Sequence, residues 1–402
     1  MATFNSRLEG AFLEKRWQDA LELLSTRPGE LARRLDFLLR NTQDQVIIKS
    51  FQQVCDRIST PVLLQVGNHF QHRNSVDELR VFFPKGNLAK AFAIQNELPA
   101  IAPSLCQQVV AICEQALVNR FAQLPPLGKV YLDPQLKKFP IPFAQRSASK
   151  SLRQLTRGSR LAIPEGNTVR FFIWWQEGML NGVATGRVDI DLSAVMYDAN
   201  WNYLEHISYT NLKSAKYQAA HSGDITSAPN GASEFIDLDI PSILQYGGRY
   251  VVTSVLSYSR QPFANLPQCF AGWMIRQHAA SGEIYEPQTV QDKVDLTANT
   301  TVSIPAILDL QQREIIWTDM SLTRNPSWQG IANNVENRQK GMVLIGKAMT
   351  GLHKPNLAQL FKLHAQARGE QVTTPEIADT VFSLDQGITP FAVDAIASQF
   401  LA

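Results

Sequence analysis

The sequence predicts a multidomain α + β protein with a helical N-terminal region, an antiparallel β-sandwich and a helical C-terminal region. Three observations carry this expectation. At 402 residues the chain is too long for one ordinary core. Its first third has apolar residues at helical spacing, its middle reads as short strands divided by turn residues, and helix signals return near the end.

From Leu8 to about Ala122, Leu8, Phe12, Trp17, Leu21 and Leu24 recur at steps of three to five, and Pro28 opens "PGELARRLDFLLR" as a first-turn proline. "QVVAICEQALVNRFAQL" adds one more amphipathic helix, and Cys113 within it stands seven residues after Cys106 on one face, a spacing that core packing explains. "LPPLGKVYLDP" then breaks the helical run, and "KVYLD", "TVRFFIWW", "RVDIDLSAVMYD", "EFIDLDI", "YVVTSVLSY", "FAGWMIRQ", "TTVSIPAILDL" and "REIIWTDM" read as sandwich strands. Beyond about Asn325, "KPNLAQLFKLHAQARG" and two Thr-Pro pairs, Thr374-Pro375 and Thr389-Pro390, signal helix starts. The expected domains are therefore residues 1–125, 126–324 and 325–402.

Composition narrows the function classes. Net charge is +2, with 45% hydrophobic and 18% charged residues, so any nucleic-acid or membrane partner needs a local patch. Four scattered cysteines without a CxxC pair suit free thiols in a reducing compartment. The acid-containing N-terminus does not read as a secretory signal, and no run approaches the ~20 apolar residues of a membrane span. A cytoplasmic location is expected.

Chemistry concentrates in the middle. In "RVDIDLSAVMYD", Val188, Ile190, Leu192 and Ala194 alternate with Asp189, Asp191 and Ser193, the period of a half-buried strand. Two carboxylates at i and i+2 on one face repel each other, so that face is either wet or occupied by something positive. The loop-rich stretch "SYTNLKSAKYQAAHSGDITSAPNGASEF" adds Asn211, Ser214, His221, Asp224 and Glu234, and its carboxylate, amide and backbone oxygens are what a hard divalent cation takes. It lacks an EF-hand loop, a zinc ligand set and a nucleophile elbow, and the closeness of His221, Ser222 and Asp224 in sequence is not triad geometry. The pair His69 and His72 lacks the third ligand and glutamate of a zinc protease. No enzyme activity is expected.

A separate stretch from Gln135 to Arg160 carries Lys137, Lys138, Arg146, Lys150, Arg153, Arg157 and Arg160 and no acid. It supplies the alternative function, a nucleic-acid-associated module whose phosphate contacts would weaken with salt.

"LTRGSRLAI", "VDIDLSA", "YTNLKSAKYQAAHSGDIT", "EFIDLDI" and "RQPFANLPQCFAGWMIR" resemble, in order and spacing, the tellurium-resistance TerD family. The resemblance covers about Leu155 to Leu322 and implies a calcium-binding β-sandwich of a non-enzymatic stress-response protein, with helical flanks that dock protein partners. It also implies that Asp189, Asp191, Asn211, Asp224 and Glu234 are calcium ligands. The sequence departs from the family pattern at Lys216, at Ile225 and at Ala232-Ser233, and each departure removes oxygen donors. Lys216 is further expected to bring a positive charge into the ligand loop.

Overall fold

A computed structural model of the protein describes residues 3–75, 79–82, 92–143, 155–276, 290–322, 339–351 and 353–401. In chain order its elements begin with α1 (Phe4–Leu13), α2 (Trp17–Ser25), α3 (Pro28–Thr42), α4 (Gln45–Val54), α5 (Thr60–Gln71), β1 (Leu79–Phe82), β2 (Phe92–Gln95), α6 (Pro103–Phe121) and β3 (Gly128–Leu132). The strand-rich stretch holds β4 (Arg160–Ala162), β5 (Thr168–Gln176), β6 (Met179–Leu180), β7 (Val183–Ala184), β8 (Ile190–Tyr197), β9 (Tyr203–Ile207), β10 (Lys213–Ser214), β11 (Ala219–His221) and β12 (Ala232–Asp239). It continues through α7 (Ile240–Gln245), β13 (Tyr250–Ser257), β14 (Gln268–Arg276), β15 (Val290–Asp295), β16 (Val302–Asp309) and β17 (Glu314–Leu322). The chain closes with α8 (Gln339–Thr350), α9 (Leu357–Arg368), β18 (Gly369–Val372), β19 (Thr380–Phe382) and α10 (Val393–Phe400).

These elements gather into two compact units that do not follow chain order. One comprises Met1–Arg80, Gln95–Ala144 and His353–Ala402; the other comprises Val81–Ile94 and Gln145–Leu352. The three consecutive domains expected from composition are thus divided differently, because the last fifty residues pack with the first helices.

In the helical unit Pro28 acts where the sequence places it, and two side-chain caps add to it. Pro28 occupies the first turn of α3, Asp44 accepts the Val46 N–H at 2.8 Å to start α4, and Asn356 and Gln359 form a reciprocal capping box on α9. The apolar faces meet in a core of Leu31, Leu35, Phe51, Leu63, Val109, Leu117 and Phe121, and Cys106 and Cys113 are buried free thiols within it. Burial pushes the Cys113 thiol up to about 12. "KVYLD" is a strand, β3, but it belongs here and not to the sandwich. It lies between β18 and β19 in a parallel three-stranded sheet. Thr374-Pro375 opens only a three-residue 3-10 turn, and Thr389-Pro390 precedes a turn that leads into α10. Nothing local signals β18 or β19; their short, partly polar stretches gain strand form from β3.

His364 closes this core. Its ring stacks on Phe121 with centroids 3.7 Å apart, its Nδ1 accepts from Arg368 Nε at 3.2 Å, and its Nε2 donates to the Phe400 carbonyl at 3.0 Å.

The other unit is a sandwich of two six-stranded antiparallel sheets, ordered β10-β11-β12-β5-β14-β15 and β4-β17-β16-β13-β8-β9. Trp273 of β14 meets Trp317 of β17 edge-on at 6.0 Å across the interior. Within the first sheet the Arg170 guanidinium, buried, holds Asp237 on the neighbouring strand with two bonds of 2.6 and 2.7 Å and lies 3.8 Å from the Phe235 ring. Helix α8, expected in a C-terminal helical domain, instead lays Met342 and Met349 on a cluster of Tyr197, Trp201, Tyr250 and Ile316 of the second sheet. Gly346 lets it approach, since a Cβ there would run into the Trp201 ring.

Two measurements check these contacts. Burial holds the folded His364 imidazole neutral down to about pH 4, against 6.5 for an ordinary histidine, so the unfolded chain takes up the proton first. The histidine's contribution is intact above pH 6.5 and is lost as pH falls toward 4, and the thermal midpoint of wild type is expected to fall more steeply across that window than that of His364→Gln. At Gly346 alanine has the better helix propensity, yet Gly346→Ala is expected to lose about 1–3 kcal/mol in urea unfolding through overpacking against Trp201.

Candidate metal centre

The site grows out of one interruption in the second sheet. β8 is paired along its length with β13, but β9 reaches it only from Ala194 onward. In a strand the N–H and C=O of one residue point to the same edge, so Leu192 presents both toward the place where β9 has ended. Buried backbone groups need partners, and the opposite sheet provides them. Glu234 of β12 accepts the Leu192 N–H at 3.2 Å, and His221 of β11 lies 3.3 Å from the Leu192 carbonyl through Nε2. His221 Nδ1 accepts from the Gly223 N–H at 3.0 Å, which places the ring proton on Nε2, facing that carbonyl and, at 3.4 Å, a Glu234 oxygen. The second Glu234 oxygen accepts the Ile225 N–H at 2.8 Å. Glu234 is 1% exposed and joins three segments of chain.

This clasp draws the loop after β11 over the start of β8. The result is a cluster of Asp189, Asp191 and Asp224 whose ligand-type oxygens all lie within 4.8 Å of one another. The acidic face of β8 is therefore not wet: Asp189 and Asp191 are each 4% exposed, and every residue of β8 is buried. Asp224 sits on the exposed loop.

The electrostatics of the cluster are unbalanced. Asp189 Oδ1 and Asp191 Oδ2 are buried without a hydrogen-bond partner. Burial, then the neighbouring Asp189, Glu234 and Asp224 charges, push the Asp191 carboxyl up to about 8, and burial and Asp224 raise Asp189 as well. Among the described residues, Arg187 answers them with its Nη2 3.3 Å from Asp189 Oδ2. The strand entrance is held by Glu177, which accepts the Val188 and Ala228 N–H groups at 2.9 and 2.8 Å, and by Trp175, whose indole donates to the Val188 carbonyl at 3.1 Å.

The remaining sequence candidates fall elsewhere. The Asn211 amide donates to Glu205 Oε1 at 3.1 Å and to the His206 carbonyl at 2.8 Å, so its nitrogen braces the β9 edge. Glu234 has both oxygens on backbone N–H groups, the role of a positioning residue beside the cluster. The Lys216 ammonium lies over the rings of Tyr217 and Tyr246, and Ser233 donates to the Ile173 carbonyl. Arg187, Glu177 and Trp175 were missed by sequence reasoning, although Arg187 stands two residues before Asp189.

Two arginines of the basic stretch are engaged within the sandwich unit. Arg157 donates to the Thr318 and Asp319 carbonyls at 2.8 Å each, and Arg160 pairs with Glu314 at 3.2 Å and donates to the Thr350 carbonyl. Lys137 and Lys138 end a 3-10 turn in the helical unit, while Arg146, Lys150 and Arg153 lie outside the described residues. His69 bonds Asp36 at 2.7 Å, and His72 bonds the Asn68 carbonyl at 3.0 Å.

Fold and site together define a two-unit α + β protein whose antiparallel sandwich carries a three-carboxylate cluster, two members buried and one exposed. Among the described residues, no helix is long and apolar enough to cross a membrane. The chain is similar to the crystal structure of a homologue of telluride resistance protein (TerD) from Streptomyces coelicolor A3(2), at 11% identity and a TM-score of 0.32, over 40% of this chain and 94% of that one. It is also similar to SAV2460, a protein of unknown function, at 14% identity and a TM-score of 0.29, over 39% and 91% of the two chains. No protein-family model and no curated protein sequence matches the chain. The chemistry of the site rests on its own residues.

The clasp is directly testable. Glu234→Ala removes the acceptor of two backbone donors, and at ~1–3 kcal/mol for each buried group left unmade the sandwich is expected to lose about 2–6 kcal/mol. A urea midpoint equal to that of wild type would show that Leu192 and Ile225 find other partners.

Proposed function

We propose that the sandwich binds calcium through Asp189, Asp191 and Asp224, and that the protein is a non-enzymatic, tellurium-resistance-like stress-response protein of the cytoplasm. The observation that carries the calcium assignment is the pair of buried, unpartnered oxygens, Asp189 Oδ1 and Asp191 Oδ2, within ligand distance of a third carboxylate. Buried polar atoms are nearly always paired. Two buried carboxylates that each leave an oxygen without a partner, and that repel one another, fit a cation.

The donor set favours calcium. All three side chains are hard oxygen donors, and no histidine or cysteine belongs to the group. Two are fixed on a buried strand while the third rides an exposed loop, which suits an ion that accepts irregular geometry and completes its shell with water. His221 supports a binding role over a catalytic one, since both ring nitrogens are engaged in the clasp.

Calorimetric titration of the full chain with calcium tests the assignment, together with thermal melting in excess calcium and in chelator. A hundredfold excess over the dissociation constant is expected to stabilise wild type by about 2.7 kcal/mol. Asp189→Asn/Asp191→Asn and, independently, the surface variant Asp224→Asn are expected to lose both heat and stabilisation. Wild-type melting curves that coincide in calcium and chelator would remove the assignment.

A further inference from the structure

Arg187 is the sequence neighbour that the calcium assignment leaves unexplained. Its guanidinium lies 3.3 Å from Asp189 Oδ2, the oxygen opposite the buried, unpartnered Oδ1 of the same carboxylate. The two ends of this side chain are treated differently by the fold. Its backbone stands next to Val188, whose N–H is held by Glu177 and whose carbonyl is held by Trp175. Its side chain is 64% exposed. A fixed origin and a solvated head let the guanidinium rest on Asp189 or swing into water with little change in the rest of the site.

An ion pair whose cationic partner is largely in solvent contributes little to stability. It does place a permanent positive charge against one member of a cation-binding cluster. Arginine stays charged at any physiological pH, so the effect cannot be switched off by titration.

Resting on the calcium reading of the cluster, we propose that Arg187 is a tethered competitor of the bound ion. It neutralises part of the Asp189 charge when the site is empty and repels the cation when the site fills, and so sets the concentration at which the site responds. The site is then a responsive one, open to rises in calcium, where the same carboxylates without Arg187 would hold the ion tightly at all times.

The argument is electrostatic and makes a graded forecast. A unit positive charge within about 6 Å of a divalent ion, in a water-like dielectric, changes affinity about tenfold, and the logarithm of that factor scales with the charge of the ion. Arg187→Gln is therefore expected to bind calcium about tenfold more tightly than wild type and terbium about thirtyfold more tightly. Arg187→Lys, which keeps the charge, is expected to stay within about threefold of wild type for both ions. In 1 M potassium chloride the advantage of Arg187→Gln is expected to collapse, because exposed charges are screened within about 3 Å.

Titrations of the full chain with calcium alone and with terbium alone read these values. If Arg187 instead holds Asp189 in place for the ion, Arg187→Gln binds more weakly, and the proposal is overturned. It is overturned equally by gains of the same size for calcium and terbium, since a structural effect does not scale with ionic charge. Binding by wild type with no change in Arg187→Gln sinks the competitor role and leaves the calcium site standing. Silence of both proteins toward both ions sinks the site, and the competitor with it.

Discussion

Along β8 the sandwich meets a constraint that a continuous sheet would not have. β9 ends at the partner of Ala194, and the next same-edge residue, Leu192, has a buried N–H and C=O facing no strand. The backbone cannot leave such groups unpaired in an interior of low dielectric. Glu234 and His221 reach from the other sheet to satisfy them. Because Glu234 also takes the Ile225 N–H, the same carboxylate that repairs the strand fastens the 222–231 loop above it. The layer contact, the loop position and the place of Asp224 all follow from one broken ladder.

That repair explains why the acidic strand is buried. Asp189 and Asp191 share a face by the two-residue period, and the clasp brings β12 and its loop against that face. Burying carboxylates raises their affinity for a proton or a cation, and mutual repulsion raises it further. The cluster holds this unfavourable arrangement because the surrounding bonds over-determine it. Trp175, Glu177 and Glu234 each tie backbone to backbone across separate segments. The charge that answers the cluster comes from Arg187. Lys216, the cation the sequence made conspicuous, rests on two tyrosine rings.

The helical unit illustrates the reverse dependence, of local form on distant partners. β3 is a strand by pattern, but its sheet exists only because Gly369–Val372 and Thr380–Phe382 return beside it from the far end of the chain. His364 then packs on Phe121 and bonds Phe400, tying α6, α9 and α10 into one core. α8 follows its own apolar face to the second sheet, where Gly346 meets Trp201.

What the sequence determined by itself was whatever depends on nearby residues. Helical spacing and the first-turn proline at Pro28 marked helices, and the alternation in "RVDIDLSAVMYD" announced both a strand and two carboxylates on one face. These signals are local because backbone hydrogen bonding and side-chain periodicity act over a few residues. The motifs also pointed to Asp189, Asp191, Asn211, Asp224 and Glu234 as a group. Only the tertiary structure decided that the acidic face is buried, that Glu234 braces backbone beside the cluster, that the Asn211 amide turns to the β9 edge, and that the basic segment from Gln135 to Arg160 is divided between two units. Each of these turns on which strand stops where and what lies across from it. Such facts are set by sheet register and packing between residues tens to hundreds of positions apart, and no spacing within a short window encodes them.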